Sequence, residues 1–104
     1  MVKEQCELLL KDDHVMHEDI VRFLQQEKDP YAISYLRQAV LLKPHLEYLA
    51  YDDYGSFYKK CFWALRSIDT PEAIAVIQEF SNSDDPVIRK EASYRLARIR
   101  GDAV

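Results

Sequence analysis

The segment IDTPEAIAVIQEFSNSDDPVIRKEASYRLARIR, residues 68–100, contains two helix starts in succession and decides the fold class. Thr70 and Asp85 each stand directly before a proline, at Pro71 and Pro86. Their side chains can accept the free N–H groups of a first helical turn, and proline at the first helical position costs no hydrogen bond. Apolar residues then follow each proline at helical spacing, so the segment predicts two consecutive amphipathic helices.

The same signals recur along the rest of the chain. Asp29 and Pro30 mark another helix start, and apolar spacing predicts helices beginning near residues 14–17 and spanning residues 57–68. The first ten residues add a short helix, and Gly101 is expected to end the last one. The sequence therefore predicts an all-α fold of about five to six helices. The residues expected to face its core are Ile20, Phe23, Leu24, Ile33, Leu36, Val40, Phe57, Cys61, Ala64, Leu65, Ile68, Ile74, Ile77, Phe80, Ile88, Ala92, Leu96 and Ile99.

Length and composition are those of one domain, residues 1–104. Hydrophobic residues make up 48% of the chain and charged residues 31%, enough to bury a core and stay in solution. The start of the chain has no long apolar run, and no segment is long enough to cross a membrane. Cys6 and Cys61 form no disulfide framework, which favours a reduced, cytoplasmic location.

The charge balance limits the kinds of partner. The chain has 14 basic and 18 acidic residues, a net charge of -4. Nucleic acids and anionic membranes bind basic faces, so neither is expected as the main partner, whereas a basic protein is. The last helix carries one basic patch, interpreted here as a cap on its C-terminal dipole, made of Arg89, Lys90, Arg95, Arg98 and Arg100.

A repeat runs through the helices. Residues 30–36 match residues 71–77 at an offset of 41, whereas residues 57–68 match residues 88–99 at an offset of 31. The simplest account is a unit of about thirty residues with ten extra residues inserted once. The extra residues fall in the segment KPHLEYLAYDDYGS, residues 43–56, which is therefore predicted to be an enlarged turn.

The two matched units resemble HEAT repeats. Residues 68–74 (IDTPEAI) and residues 84–92 (DDPVIRKEA), followed by Leu96 and Ile99, are similar to the short HEAT subtype named for phycobilisome lyases. The resemblance is good over residues 57–100 and looser over residues 20–43. It implies a short right-handed α-solenoid of stacked helix pairs. In that family the second helices line the concave, protein-binding side; here these would be residues 17–26, 54–68 and 86–100.

Catalysis and metal binding find little support in the sequence. There is no glycine-rich phosphate loop, no CxxC pair and no convincing nucleophile, so neither an enzyme nor a cofactor is expected. His14 and His17 share a helix face beside Glu18 and Asp19, but a second ligand pair is lacking. We interpret this stretch as a solvated N-terminal turn of a helix.

Aromatic and acidic residues crowd the 43–56 segment and the helix after it. The core stripe of residues 57–68 leaves Tyr58 and Trp63 on other faces, and Tyr94 aligns with Trp63 in the repeat. Exposed rings of this kind are common interface hot spots, although they could instead close gaps in a small core. Asp52 and Asp53 could cap the following helix or attract a basic partner. The expected partner-binding residues are Glu47, Tyr48, Tyr51, Asp52, Asp53, Tyr54, Tyr58, Trp63, Glu91 and Tyr94.

These features favour a non-enzymatic protein-binding module, monomeric or weakly dimeric when free. The specific hypothesis is a bacterial immunity protein that binds and neutralises a cognate toxin domain, such as a nuclease. One alternative is a scaffold or adaptor that binds a peptide or helix in its concave face. A role beside an enzyme, as in the lyases, would need a cofactor contact, and the net charge disfavours a DNA-binding role.

Overall fold

Six α-helices make up the fold in the computed structural model, which describes residues 1–49 and 55–102. The helices are α1 (Val2–Leu9), α2 (His17–Glu27), α3 (Ile33–Leu42), α4 (Ser56–Ile68), α5 (Pro71–Phe80) and α6 (Pro86–Asp102). Three short 3-10 turns, Pro30–Ala32, Lys43–His45 and Glu47–Leu49, flank α3 and follow it. The all-α prediction is confirmed. None of these helices combines the length and apolar character that a bilayer span requires.

The predicted proline-linked caps form as expected. The Thr70 side chain accepts the Ala73 N–H at 3.2 Å, and the Asp85 carboxylate accepts the Val87 N–H at 2.9 Å. Asp29 caps Tyr31 in the same way at 2.9 Å, but the turn it starts is 3-10 and α3 follows only at Ile33. Each cap satisfies a backbone donor that the helix itself leaves unpaired.

The C-terminal helix ends differ from the prediction. Gly101 does not end α6, which continues to Asp102, and the left-handed conformation that favours a glycine cap is absent there. That conformation occurs instead at Lys28 and Asp69, both with φ of 57°, which end α2 and α4. Each donates its N–H to the carbonyl four residues earlier. A non-glycine residue in this conformation costs about 1–2 kcal/mol and is therefore uncommon. For this reason the residue types at these two positions do not predict it.

Helix α4 lies at the centre of the molecule. It packs against α2, α3, α5 and α6. The predicted core stripe of α4 is confirmed, since Phe57, Cys61, Ala64, Leu65 and Ile68 are all buried. The other predicted core residues are also buried, or half-buried in the case of Phe23, Ile33, Ile74 and Ile99.

The prediction that Tyr58 lies off the core is wrong. Tyr58 is only 3% exposed, and the Lys43 ammonium lies 5.1 Å from the centre of its ring. A single apolar stripe was assumed, but a helix with neighbours on several sides buries more than one stripe. Phe62 is buried for the same reason and packs against Phe80.

Both cysteines belong to this core. Cys6 in α1 and Cys61 in α4 are fully buried free thiols. Burial raises the pKa of Cys6 to about 11 and raises that of Cys61 further. Neither thiol is therefore in the thiolate form that reacts readily at neutral pH.

The centre of the core should be sensitive to lost volume. Leu65 is fully buried, so Leu65→Ala should lower the free energy of unfolding by roughly 2–5 kcal/mol, through lost burial and the cavity left behind. Leu41 is exposed on α3, so Leu41→Ala serves as the matched control and should change stability by less than about 0.5 kcal/mol. Urea denaturation followed by circular dichroism measures both values. Equal effects of the two substitutions would contradict this assignment of the core.

Candidate functional site

The expected partner-binding residues separate into three groups in the structure. Tyr51, Asp52, Asp53 and Tyr54 lie outside the described residues. Tyr48 and Tyr58 contribute to the interior, half-buried and buried respectively. The remaining residues reach the surface: Trp63, Tyr94 and Glu47 are exposed, and Glu91 is half-buried.

Trp63 and Tyr94 flank one arginine on neighbouring helices. Their side chains are 42% and 53% exposed, so both rings lie outside the core. The guanidinium of Arg95 lies 4.1 Å from the centre of the Trp63 ring and 5.6 Å from that of Tyr94. The contact with Trp63 is a cation–π interaction, which strengthens as the cation loses water.

Arg95 is itself almost completely buried. The residue is 6% exposed, and no ion pair or hydrogen bond joins its guanidinium to any residue in the described part of the chain. Burial lowers the pKa of Arg95; Tyr94 opposes this shift, and the nearby charges of Arg98 and Arg66 add smaller effects that lower the pKa. The cation thus contacts aromatic rings and has no carboxylate partner among the residues that the structure describes.

The interpretation of Arg95 as part of a basic cap on the last helix does not predict its burial. The sequence repeat does indicate that Arg95 is buried. At the offset of 31, Arg95 aligns with Ala64, which is fully buried in α4. A charged residue in a core-facing register is unusual, and such a residue commonly has a specific partner.

A groove of about 520 Å³ opens beside these three side chains, between α4, α6 and the end of α2. We call it the α4–α6 groove. Its described lining residues are Lys28, Lys59, Trp63, Arg66, Ser67, Asp69, Tyr94, Arg95 and Arg98. Five of these residues are basic and one is acidic, in a chain whose net charge is -4. The basic residues come from α4, α6 and the end of α2, and the interpretation of the basic patch as a simple end cap of α6 is wrong for the buried Arg95.

Glu91 lies outside the described lining of the α4–α6 groove, beside the start of α4. A Cβ built on Gly55 would stand 2.7 Å from Val87 and 3.2 Å from the Cγ of Glu91, and Gly55 has φ of 74°. Glycine is therefore required where the 43–56 segment joins α4, and Glu91 lies beside that junction. The N-cap of α4 is Gly55 itself, so neither Asp52 nor Asp53 occupies that position.

His17 is buried, and the interpretation of its surroundings as a solvated turn is wrong. Its Nε2–H donates to the Lys11 carbonyl at 2.6 Å, and its Nδ1 accepts the Tyr48 hydroxyl at 2.5 Å. The Tyr48 oxygen in turn accepts the backbone N–H of His17 at 3.2 Å. This pattern needs the neutral ring, and burial lowers the pKa of His17 accordingly.

The ring nitrogens of His14 also form hydrogen bonds within the fold. Its Nε2–H donates to the Leu8 carbonyl at 2.6 Å, and its Nδ1 accepts the Met16 N–H at 3.0 Å. The His14 and His17 rings stack with their centres 4.1 Å apart. All four ring nitrogens are thereby used in hydrogen bonds, and no group of three possible metal ligands occurs within residues 1–49 and 55–102.

Comparison with protein-family models, curated proteins and solved structures finds no match for this chain. The structure establishes a small all-helical protein of six helices, and no family is identified.

The buried histidine should make stability depend on pH. The pKa of His17 in the folded protein lies below the ordinary value of 6.5, so between these values the unfolded chain binds the additional proton. Stability should therefore be complete above about pH 6.5 and fall below it, by at most about 1.4 kcal/mol per pH unit. Urea denaturation at about pH 7.5 and pH 5.5 measures the change.

Two variants identify the source of this pH dependence. His45 is exposed, so His45→Gln should preserve the loss of stability at the lower pH. His17→Gln should reduce the loss, because it removes the titrating ring. An undiminished loss in His17→Gln would contradict the assignment to His17.

Proposed function

We propose that this protein is a non-enzymatic protein-binding module that holds its partner against the α4–α6 groove. The observation that carries the proposal is the pair of exposed rings, Trp63 and Tyr94, next to the buried Arg95 guanidinium. Tryptophan, tyrosine and arginine are the residue types most enriched among interface hot spots. The two rings are also attached to helices rather than loops, so little conformational entropy is lost when a partner covers them.

The contacts between helices support a second element of the proposal, a HEAT-like stacking of helix pairs. α3 packs on α4, and α5 packs on α6, which are the two helix pairs of the sequence repeat. α3 also contacts α5, and α4 contacts both α2 and α6. The first helices of the two pairs thus contact each other, and so do the second helices, as in a stack of repeats. The groove lies on the second-helix layer, the side that binds partners in the family that the sequence resembles.

The state of the potential nucleophiles favours binding over catalysis. Both cysteine thiols are buried with raised pKa values, and two of the three histidines are committed to hydrogen bonds within the fold. Catalytic groups usually lie in a cleft with at least one reactive atom free. The groups beside the groove are instead cations and aromatic rings, which suit recognition.

A narrower form of the proposal is an immunity protein that binds and neutralises a basic toxin domain. The supporting observation is that the 43–56 segment contains the exposed Glu47 together with Asp52 and Asp53, and that Glu91 lies beside Gly55 near the end of this segment. Paired acids next to tyrosines could steer a basic partner towards this segment. The broader alternative is an adaptor that holds a peptide or helix in the groove alone.

Affinity capture from a lysate of the native host tests the binding role. We expect the wild-type protein to retain one partner in stoichiometric amount, and Trp63→Ala with Tyr94→Ala to retain at least about tenfold less, because two hot-spot rings are lost. Tyr31→Ala removes a tyrosine that is exposed on another surface and should leave recovery unchanged. Circular dichroism checks that all variants remain helical. Equal recovery by the double variant would contradict a partner site at the groove.

A charge reversal separates the immunity protein from the adaptor. Asp52→Lys with Asp53→Lys should abolish capture of a basic toxin domain while thermal melting stays close to that of the wild type. The matched control is Asp12→Lys with Asp13→Lys, which reverses an exposed acidic pair between α1 and α2. If both double variants capture the partner as well as the wild type, the immunity proposal fails, whereas an adaptor that uses only the groove remains consistent.

A further inference from the structure

Arg95 is almost completely buried, and no carboxylate among the described residues forms an ion pair with it. Loss of part of its hydration makes a cation costly unless it is paired and hydrogen-bonded. The two neighbouring rings compensate part of this cost, but the hydrogen-bond donors of the guanidinium have no acceptor among the described residues. No completely buried side-chain nitrogen or oxygen in that part of the chain lacks a partner, so the Arg95 nitrogens retain contact with the groove that Arg95 lines.

The surroundings of Arg95 favour an anion. Lys28, Lys59, Arg66 and Arg98 line the same groove, and Asp69 is the one carboxylate among the lining residues that the structure describes. Asp69 lies 4.0 Å from the Arg66 guanidinium, at the edge of ion-pair distance, and makes no ion pair with Arg95. Like charges gathered in one groove repel each other, and an anion bound among them would remove that repulsion.

The size of the groove and the charge of the whole chain select the kind of anion. A groove of about 520 Å³ accommodates a few side chains of a partner. Nucleic acid carries a charge on every nucleotide and would extend from the groove onto the remaining surface. That remaining surface is acidic, because five of the 14 basic residues are concentrated in the groove and the net charge is still -4. A short anionic segment avoids this repulsion.

We infer that the α4–α6 groove binds a short acidic segment of the partner protein, with one carboxylate on the Arg95 guanidinium and an apolar side chain against Trp63 and Tyr94. The inference rests on the proposed binding function and adds the chemistry of the partner. A guanidinium presents two parallel N–H donors that match the two oxygens of a carboxylate. Here the guanidinium is already oriented by the two rings, so binding needs little rearrangement.

The sequence provides a direct probe of this site. Trp63 is the only tryptophan of the chain, so intrinsic tryptophan fluorescence reports on ligands that bind beside this ring. The test ligand is a terminally blocked octapeptide of glutamates with two leucines, and the reference ligand replaces each glutamate with lysine. We expect a saturable fluorescence change with the acidic peptide that weakens at higher salt, and no saturable change with the basic peptide.

Three variants locate the binding charge. Arg95→Met keeps an apolar stem beside the rings and should weaken binding of the acidic peptide by at least about tenfold. Arg100→Gln removes the same charge from an exposed position of α6 outside the groove lining and should stay within about twofold of the wild type. If Arg95→Met does not fold, Lys59→Gln with Arg98→Gln removes two exposed groove cations instead and should weaken binding by several-fold.

Other ligands give outcomes that overturn the inference. A thymidine oligonucleotide that binds more tightly than the peptide would assign the groove to nucleic acid, and inorganic phosphate that saturates the same signal with equal affinity would assign it to small anions. Absence of peptide binding, or an unchanged affinity in the groove variants, would also overturn it. If capture of the native partner still depends on Trp63 and Tyr94 in that case, the binding function stands and only the acidic-segment inference fails.

Discussion

Helix α4 must bury most of its circumference, and the remaining structure follows from this requirement. Phe57, Phe62 and Leu65 are fully buried, although they point in different directions around the helix axis. Four helices pack around α4 to cover them. What remains of α4 at the surface is a narrow strip that includes Lys59 and Trp63. The candidate site is therefore located where the enclosure of the central helix is incomplete.

The basic residues are distributed unevenly over the molecule, although the net charge of the chain is negative. The basic residues of the groove converge from the ends of α2 and α4 and from the middle of α6. Lys28 ends α2, and Arg66 is in the last turn of α4, where the helix dipole places partial negative charge. Cations at such positions are stabilised by the helix carbonyls. This arrangement favours the gathering of several cations in one small region of the surface.

The sequence predicted those features that depend on local chemistry and periodicity. The caps at Thr70 and Asp85 and the core positions of α4 needed only neighbouring residues and helical spacing. Tyr58 and Arg95 were placed incorrectly because their burial depends on which helices surround them, and one apolar stripe per helix does not contain that information. The burial of His17 likewise depends on a hydrogen bond to Tyr48, 31 residues away. Long-range partners of this kind leave no periodic signal.

For the site, exposure of the Trp63 and Tyr94 rings could be predicted because both fall off the core spacing and align in the repeat. Their association with a basic groove could not, because Lys28, Lys59 and Arg66 are brought together with Arg95 only by the packing of three helices. The acidic candidates Asp52 and Asp53 remain a prediction.

Chemical modification of the two buried thiols can report on local and global opening of the fold. Cys6 belongs to the peripheral α1 and Cys61 to the central α4, and both are inaccessible in the closed fold. A thiol reagent can reach either one only when the surrounding structure opens. If α1 detaches on its own, Cys6 is modified while Cys61 stays protected; if the fold opens as a unit, both are modified at the same rate. Two ordinary core residues therefore distinguish fraying at the edge from cooperative unfolding.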